Sequence, residues 1–227
     1  MLISAAVCPH PPLLVPEVAN GAAAELDGLR AACGEAVRRL GAADRLIVVG
    51  SGPHALDFGA GAAGTLRPYG VDLTFGAGEP VLPLSLTIGR WLLGDRPAVF
   101  RSVAEDTPTA ECLRIGADLA ALPGTAALLV MGDGSARRTQ AAPGYLDPRA
   151  AAFDTTAATA LAVADGAALA GLDPALATEL WAAGRASWQV LAGAAGDGRF
   201  DAALLADVAP YGVGYFVASW VRRRESL

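Results

Sequence analysis

The sequence contains no lysine, because all 17 of its basic residues are arginine. This absence excludes Schiff-base chemistry, attachment of pyridoxal phosphate and nucleotide binding through a P-loop lysine. The G-x-S-x-G nucleophile elbow of many hydrolases is also missing. Histidine occurs only twice, at His10 and His54, so any chemistry based on imidazole must use these two residues.

The sequence is also poor in cysteine and in charge. Cys8, Cys33 and Cys112 are too few and too widely spaced to indicate a disulfide framework or a structural zinc site. The net charge is −6, which predicts no nucleic-acid partner. No apolar run approaches the roughly 20 residues of a membrane span, and the N-terminal segment lacks the basic region of a signal peptide. We therefore expect a cytoplasmic protein without a membrane partner.

Apolar residues make up 53% of the 227 residues, which is enough for a sizeable core in one domain. Strand-like runs alternate with helical patterns, so the sequence predicts an α/β fold, a single domain over 1–227 with a mostly parallel central sheet flanked by helices. Asp147-Pro148 and Asp173-Pro174 are expected to begin helices as cap and first residue. The other main predicted elements are a helix over 22–40 and strands over 2–7, 45–49, 98–102, 125–131 and 211–217.

Three of the predicted strands lead directly into unusual loops. His10 follows the first strand, His54 follows the second, and Asp133 follows the strand that ends at residue 131. If these strands are parallel, the loops emerge at one edge of the sheet, where open α/β folds bind their ligands. Two histidines and a carboxylate facing one cleft are typical of a divalent-metal site.

A dinucleotide-binding loop is an alternative interpretation of the second of these segments. Residues 50–55, GSGPHA, match the G-x-G-x-x-G/A fingerprint, and Asp72 lies about 20 residues further on. The segment that follows has no amphipathic helical period, although the fingerprint needs a helix N-terminus beneath the pyrophosphate.

Four ordered segments resemble the B-subunit-like proteins of the class III extradiol dioxygenases, a superfamily that includes the Memo-like proteins. The segments are CPHPPLLVPEV, RLIVVGSGPH, GDGSARRTQAAPGYLDPRAAAFD and APYGVGYFVA. The resemblance implies that His10 and His54 bind a divalent metal, Fe(II) first, with Zn or Mn as alternatives. It also implies an extradiol dioxygenase B-subunit-like fold and a catechol-like substrate.

The chain departs from the family pattern at two places. The proton-transfer histidine of the family motif G-D-x-S-H corresponds to Ala136. The third metal ligand, a glutamate in the family, aligns near Ala182, and Glu179 one helical turn earlier is the replacement we predict. Asp133 and Asp207 are the alternative third ligands. With both histidines used as ligands, Asp133 and Tyr211 are the predicted proton-transfer residues, and Tyr145 is another candidate.

Two classes of function follow from these departures. In the first, the protein is a metal-dependent oxidoreductase that acts on a small, aromatic molecule. In the second, it is a pseudoenzyme whose pocket binds a ligand or supports assembly. We expect a homodimer in either case.

Addition of Fe(II), Mn(II) or Zn(II) should raise the melting temperature if the two-histidine site forms, because a ligand that binds only the native state stabilises it by about 2.7 kcal/mol at 100 times its Kd. His10→Ala and His54→Ala should each abolish the rise. Thermal unfolding of wild type and the two variants, with and without metal, measures the rise in melting temperature. Equal shifts in wild type and both variants would contradict a site made by these histidines.

Overall fold

The computed structural model describes residues 1–223, so the last four residues of the predicted domain lie outside the described part. Within this part, the strands are β1 (Leu2–Cys8), β2 (Arg45–Ser51), β3 (Leu56–Phe58), β4 (Gly64–Thr65), β5 (Thr74–Phe75), β6 (Val99–Val103), β7 (Ala126–Met131), β8 (Phe200–Val208) and β9 (Tyr215–Arg222). The α-helices are α1 (Pro16–Ala19), α2 (Asp27–Arg38), α3 (Leu84–Leu93), α4 (Thr109–Ala121), α5 (Ala150–Val163), α6 (Gly166–Ala170), α7 (Pro174–Glu179) and α8 (Arg185–Ala195).

A seven-stranded mixed sheet, in the order β3-β6-β2-β7-β1-β9-β8, forms the centre of the fold. Its four middle strands, β6, β2, β7 and β1, are all parallel, while β3, β9 and β8 pair antiparallel with their neighbours. Strands β4 and β5 form a separate antiparallel pair. The predicted α/β fold with a largely parallel central sheet is confirmed.

The sequences of the middle strands are almost continuously apolar, because helices cover both faces of the sheet. All six residues of β7 are buried. One face packs against α4 to α8, and the other packs against α2, α3 and the segment after β1. Among the described residues, no helix is both long and apolar enough to span a membrane.

The predicted boundaries are accurate for the middle strands and less so elsewhere. Helix α2 is shorter than the predicted helix because a 3₁₀ segment, Asn20–Leu26, precedes it. Asp173 is the N-cap of α7, as predicted, and its carboxylate accepts hydrogen bonds from two backbone N–H groups. The predicted cap at Asp147 is wrong, since α5 begins at Ala150 and the Asp147 carboxylate instead accepts from the Arg149 N–H, at 2.9 Å.

Helices α4 and α8 approach each other so closely that their contact admits only glycine. A Cβ atom at Gly116 would overlap the carbonyl oxygen of Val190, and a Cβ at Gly193 would overlap that of Leu113. Backbone atoms on both sides form this contact, so a rotamer change cannot relieve an added methyl group.

Gly116→Ala and Gly193→Ala should each lower the free energy of unfolding by about 3 kcal/mol, because overpacking at a rigid contact forces the helices apart. Gly28→Ala in α2 is the matched control, since a Cβ there meets nothing within 4 Å. That substitution should leave stability unchanged or raise it by about 0.4–1 kcal/mol. Urea denaturation of the three variants measures these differences. A neutral Gly116→Ala would show that the helices are not held at this distance.

Candidate functional site

A cleft of about 570 Å³ lies at the carboxyl edge of the parallel strands. Its walls come from the segments that follow β1, β2 and β6, from the start of α3 and from α7. The lining residues are His10, Ser51, Gly52, Pro53, Pro83, Leu84, Ser85, Ala104, Glu105, Asp106 and Thr178. This position agrees with the general placement of ligands in open α/β sheets.

His10 and Asp133 meet beside this cleft because β1 and β7 end level with each other. Cys8 lies opposite Met131 in the parallel register, and each functional residue follows two positions later. The His10 backbone N–H donates to Asp133 Oδ1 at 2.7 Å. His10 Nδ1 lies 3.6 Å from the same oxygen, which is close for an ion pair but too long for a hydrogen bond.

The His10 side chain is only 9% exposed, and its Nδ1 has no hydrogen-bond partner among the described residues. A buried polar atom without a partner is costly, so such an atom beside a cleft is a natural contact point for a ligand. Hydrogen bonds at binding sites are often long in the ligand-free protein and shorten when the ligand arrives.

Burial raises the pKa of Asp133, and the nearby His10 only partly offsets this effect. Tyr215, the first residue of β9, lies close enough that the Asp133 charge adds to the burial that raises the tyrosine pKa. Tyr215 was not predicted as a site residue, although it lies in the quoted segment APYGVGYFVA. The predicted Tyr211 instead donates its hydroxyl to the Glu25 carboxylate, at 3.0 Å.

His54 occupies a different environment from His10. It is exposed in the turn between β2 and β3, and its backbone carbonyl accepts a hydrogen bond from Ser102 Oγ at 2.7 Å. Pro53 lines the cleft with His10, whereas the cleft wall within residues 1–223 does not include His54.

Of the three candidate third ligands, Asp133 lies beside His10, whereas Glu179 and Asp207 lie elsewhere on the surface. Glu179 is exposed at the end of α7, and its Oε2 pairs with Arg149 Nη1 at 2.7 Å. Asp207 is exposed on the edge strand β8. Over residues 1–223, no group of three or more His, Cys, Asp or Glu side chains is placed to hold a metal ion. The other proton-transfer candidate, Tyr145, is 73% exposed.

A second cavity of about 450 Å³ adjoins the cleft and shares Glu105 and Thr178 with it. Ala136 and Ala182 both line this cavity, so the two positions where the chain departs from the family pattern lie together. Trp181 also lines it, is 52% exposed and has a φ of +56°, a conformation that is rare for a bulky residue. The Arg137 guanidinium lies over its ring, 5.2 Å from the centroid.

Arg185, the first residue of α8, holds the wall between the two cavities. It is 1% exposed and donates to the backbone carbonyls of Thr107, at 2.6 Å, and of Glu105. A third donation, at 3.0 Å, goes to the side-chain oxygen of Gln189. The Glu105 segment is therefore fixed to α8 through charge-assisted hydrogen bonds.

The glycine loop after β2 lacks the helix that a dinucleotide-binding site requires. Residues 50–55 lead into strand β3, and the Asp72 carboxylate pairs with Arg67 at 2.6 Å on the surface. The fold therefore places no helix N-terminus beneath a pyrophosphate at this loop.

Comparisons with known proteins show a similar fold and no more. No protein-family model matches the chain, and no curated protein sequence matches it. The chain is similar to the crystal structure of the uncharacterized protein JW3007 from Escherichia coli K12, with a TM-score of 0.55 and 14% identity. That likeness covers 96% of this chain and 99% of the other, so the whole α/β fold is shared.

Asp133→Asn should stabilise the protein at pH 7. Because burial raises the pKa of Asp133, the folded state binds a proton that the unfolded chain has already released. The protonated group therefore stabilises the fold at low pH. This stability is lost as the pH rises from the unfolded-state pKa of about 3.9 through the raised folded-state pKa. Asparagine cannot ionise, so the variant does not lose this stability. Its stability advantage over wild type should therefore shrink as the pH falls toward 4.

Urea denaturation at pH 7 and near pH 4 measures the difference. Asp106→Asn is the control, because Asp106 is an exposed carboxylate that lines the nearby cleft. If the variant is less stable than wild type at pH 7, the folded protein favours the ionised form of Asp133, and the prediction is wrong.

Proposed function

We propose that the protein binds a small aromatic molecule in the cleft at His10 and that it is a divergent relative of the class III extradiol dioxygenases without their ring-cleavage activity. The observation that carries the proposal is the His10–Asp133 pair beside a 570 Å³ cleft at the carboxyl edge of the parallel strands. The volume suits a molecule of drug size or smaller.

The polar groups of the cleft suit a hydroxylated ligand. His10 offers a ring nitrogen without a partner, and the Asp133 carboxylate lies 3.6 Å from it. His10 can hydrogen-bond to a phenolic hydroxyl group, while Asp133, which does not line the cleft, places its carboxylate beside the His10 ring. Pro53, Pro83 and Leu84 supply apolar surface in the cleft. The adjoining cavity adds the Trp181 ring. A catechol is the ligand class that the family resemblance favours.

The described residues do not fit the three-ligand iron site that the resemblance implies. Only His10 of the two histidines lines the cleft, and Glu179 is paired with Arg149. The proposed binding therefore rests on His10 and Asp133, while a two-histidine site for Fe(II), Zn or Mn stays a prediction. The same holds for the homodimer and the cytoplasmic location.

Loss of ring cleavage follows from the residue at position 136. An alanine there has no group that can transfer a proton, and Ala136 lines the cavity next to the cleft. Fold similarity alone carries no activity, because function depends on the side chains of the site. Binding without ring cleavage is thus the conclusion that these side chains support.

The two histidines allow a direct test by imidazole NMR, because each gives its own ring signals. Catechol titrated into metal-free protein should shift the His10 ring signals and leave those of His54 unchanged, since only His10 lines the cleft. Asp133→Asn should weaken binding by about tenfold, because it removes the carboxylate charge beside the His10 ring that contacts the ligand. Asp106→Asn serves again as the control and should bind normally.

Other outcomes of this titration have distinct meanings. Unchanged His10 signals at millimolar catechol would contradict the proposed cleft. Catechol binding that appears only after Zn(II) has shifted both histidines would replace the proposal with the metal-dependent class.

A further inference from the structure

A third cavity, of about 530 Å³, lies at the opposite end of the parallel strands from His10. Its floor is the sheet surface around the starts of β2 and β6, and its wall is the C-terminal half of α4. Helix α4 packs chiefly against α8, and the cavity lies between its C-terminal half and the sheet. The lining residues are Arg45, Ile47, Asp57, Phe58, Gly59, Val99, Phe100, Arg101, Arg114, Ile115, Asp118, Leu119 and Leu122.

Arg45, the first residue of β2, brings unsatisfied hydrogen-bond donors to this cavity. Its Nε and Nη2 atoms are buried, and neither has a hydrogen-bond partner among residues 1–223. Within the same range, Arg45 forms no ion pair. A guanidinium group has donors only, so this half-buried side chain can bind an acceptor from outside the protein.

The other charged groups of the cavity are already paired. Arg101 Nη1 lies 2.6 Å from the Asp57 carboxylate, and Arg114 Nη1 lies 2.5 Å from that of Asp118. Arg114 also pairs with Glu111, just outside the lining, so Arg45 is the lining arginine without an ion pair within residues 1–223. Arg101 adds one more buried donor without a partner, its Nε. One unpaired guanidinium suits a single negative charge better than a dianion.

Most of the remaining lining is apolar. Ile47 belongs to the sheet floor, and Ile115 and Leu119 belong to the helix wall. These side chains can bury an alkyl or aryl body, while two parallel N–H groups of a guanidinium match the two oxygens of a carboxylate.

We propose that this cavity is a second binding site, specific for a small organic monocarboxylate with an apolar body, whose carboxylate is held by Arg45. The proposal is independent of the catechol cleft, since the two sites lie at opposite ends of the strands and share no lining residue.

Isothermal titration calorimetry with octanoate tests the site. Octanoate should bind wild type with one molecule per chain, while 1-octanol, which has the same alkyl chain and no charge, should bind at least tenfold more weakly. Inorganic phosphate, which has no apolar body, should also bind at least tenfold more weakly. Equal affinity for octanoate and 1-octanol, or for octanoate and phosphate, would overturn the proposal without any variant.

Arg45→Gln should weaken octanoate binding at least tenfold. The matched control is Arg114→Gln, which removes an arginine of the same cavity that is exposed and already paired. That variant should stay within about threefold of wild type. Equal losses in both variants would show a general charge effect and overturn the role of Arg45. Saturating octanoate should leave the His10 ring signals unchanged, so a failure of the catechol proposal does not affect this test.

Discussion

The in-register parallel pairing of β1 with β7 is the constraint on which the cleft at His10 depends. Val7 lies beside Val130 and Cys8 beside Met131, and the Gly132 N–H donates to the Cys8 carbonyl at 2.9 Å just beyond the last pair. A shift of one residue would turn the side chains of one strand to the opposite face of the sheet. Apolar strand packing therefore positions the polar pair, although no apolar residue takes part in its chemistry.

The middle of the sheet was predictable because its strands are buried on both faces. Continuous apolar runs such as residues 125–131 are characteristic of strands of this kind. Once the strands are taken as parallel, the residues that follow them must gather at one edge. His10 and Asp133 were placed in this way from the sequence, without knowledge of the strand order.

The site residues that the sequence analysis placed wrongly or missed depend on contacts between residues far apart in the chain. Glu179 has the spacing of a ligand, but Arg149, 30 residues earlier, pairs with it at the surface. Tyr211 and Tyr215 are equally plausible in sequence, and only the position where β9 begins shows that Tyr215 lies near Asp133. His54 follows its strand by three residues, and the turn into β3 leaves it exposed. Local patterns do not encode any of these outcomes.

The hydrogen bonds from Arg185 to the Glu105 segment lower the entropic cost of binding a ligand in the cleft. Helix α8, which carries Arg185, is itself fixed to α4 by the glycine contact at Gly116 and Gly193. One wall of the cleft is thus attached by Arg185 to a closely packed helix pair and needs no reordering when a molecule enters. Ordering costs of about 0.5–1.5 kcal/mol for each immobilised side chain are met during folding and not during binding. On this side the cleft is preorganised, and ligand affinity there reflects the contacts themselves.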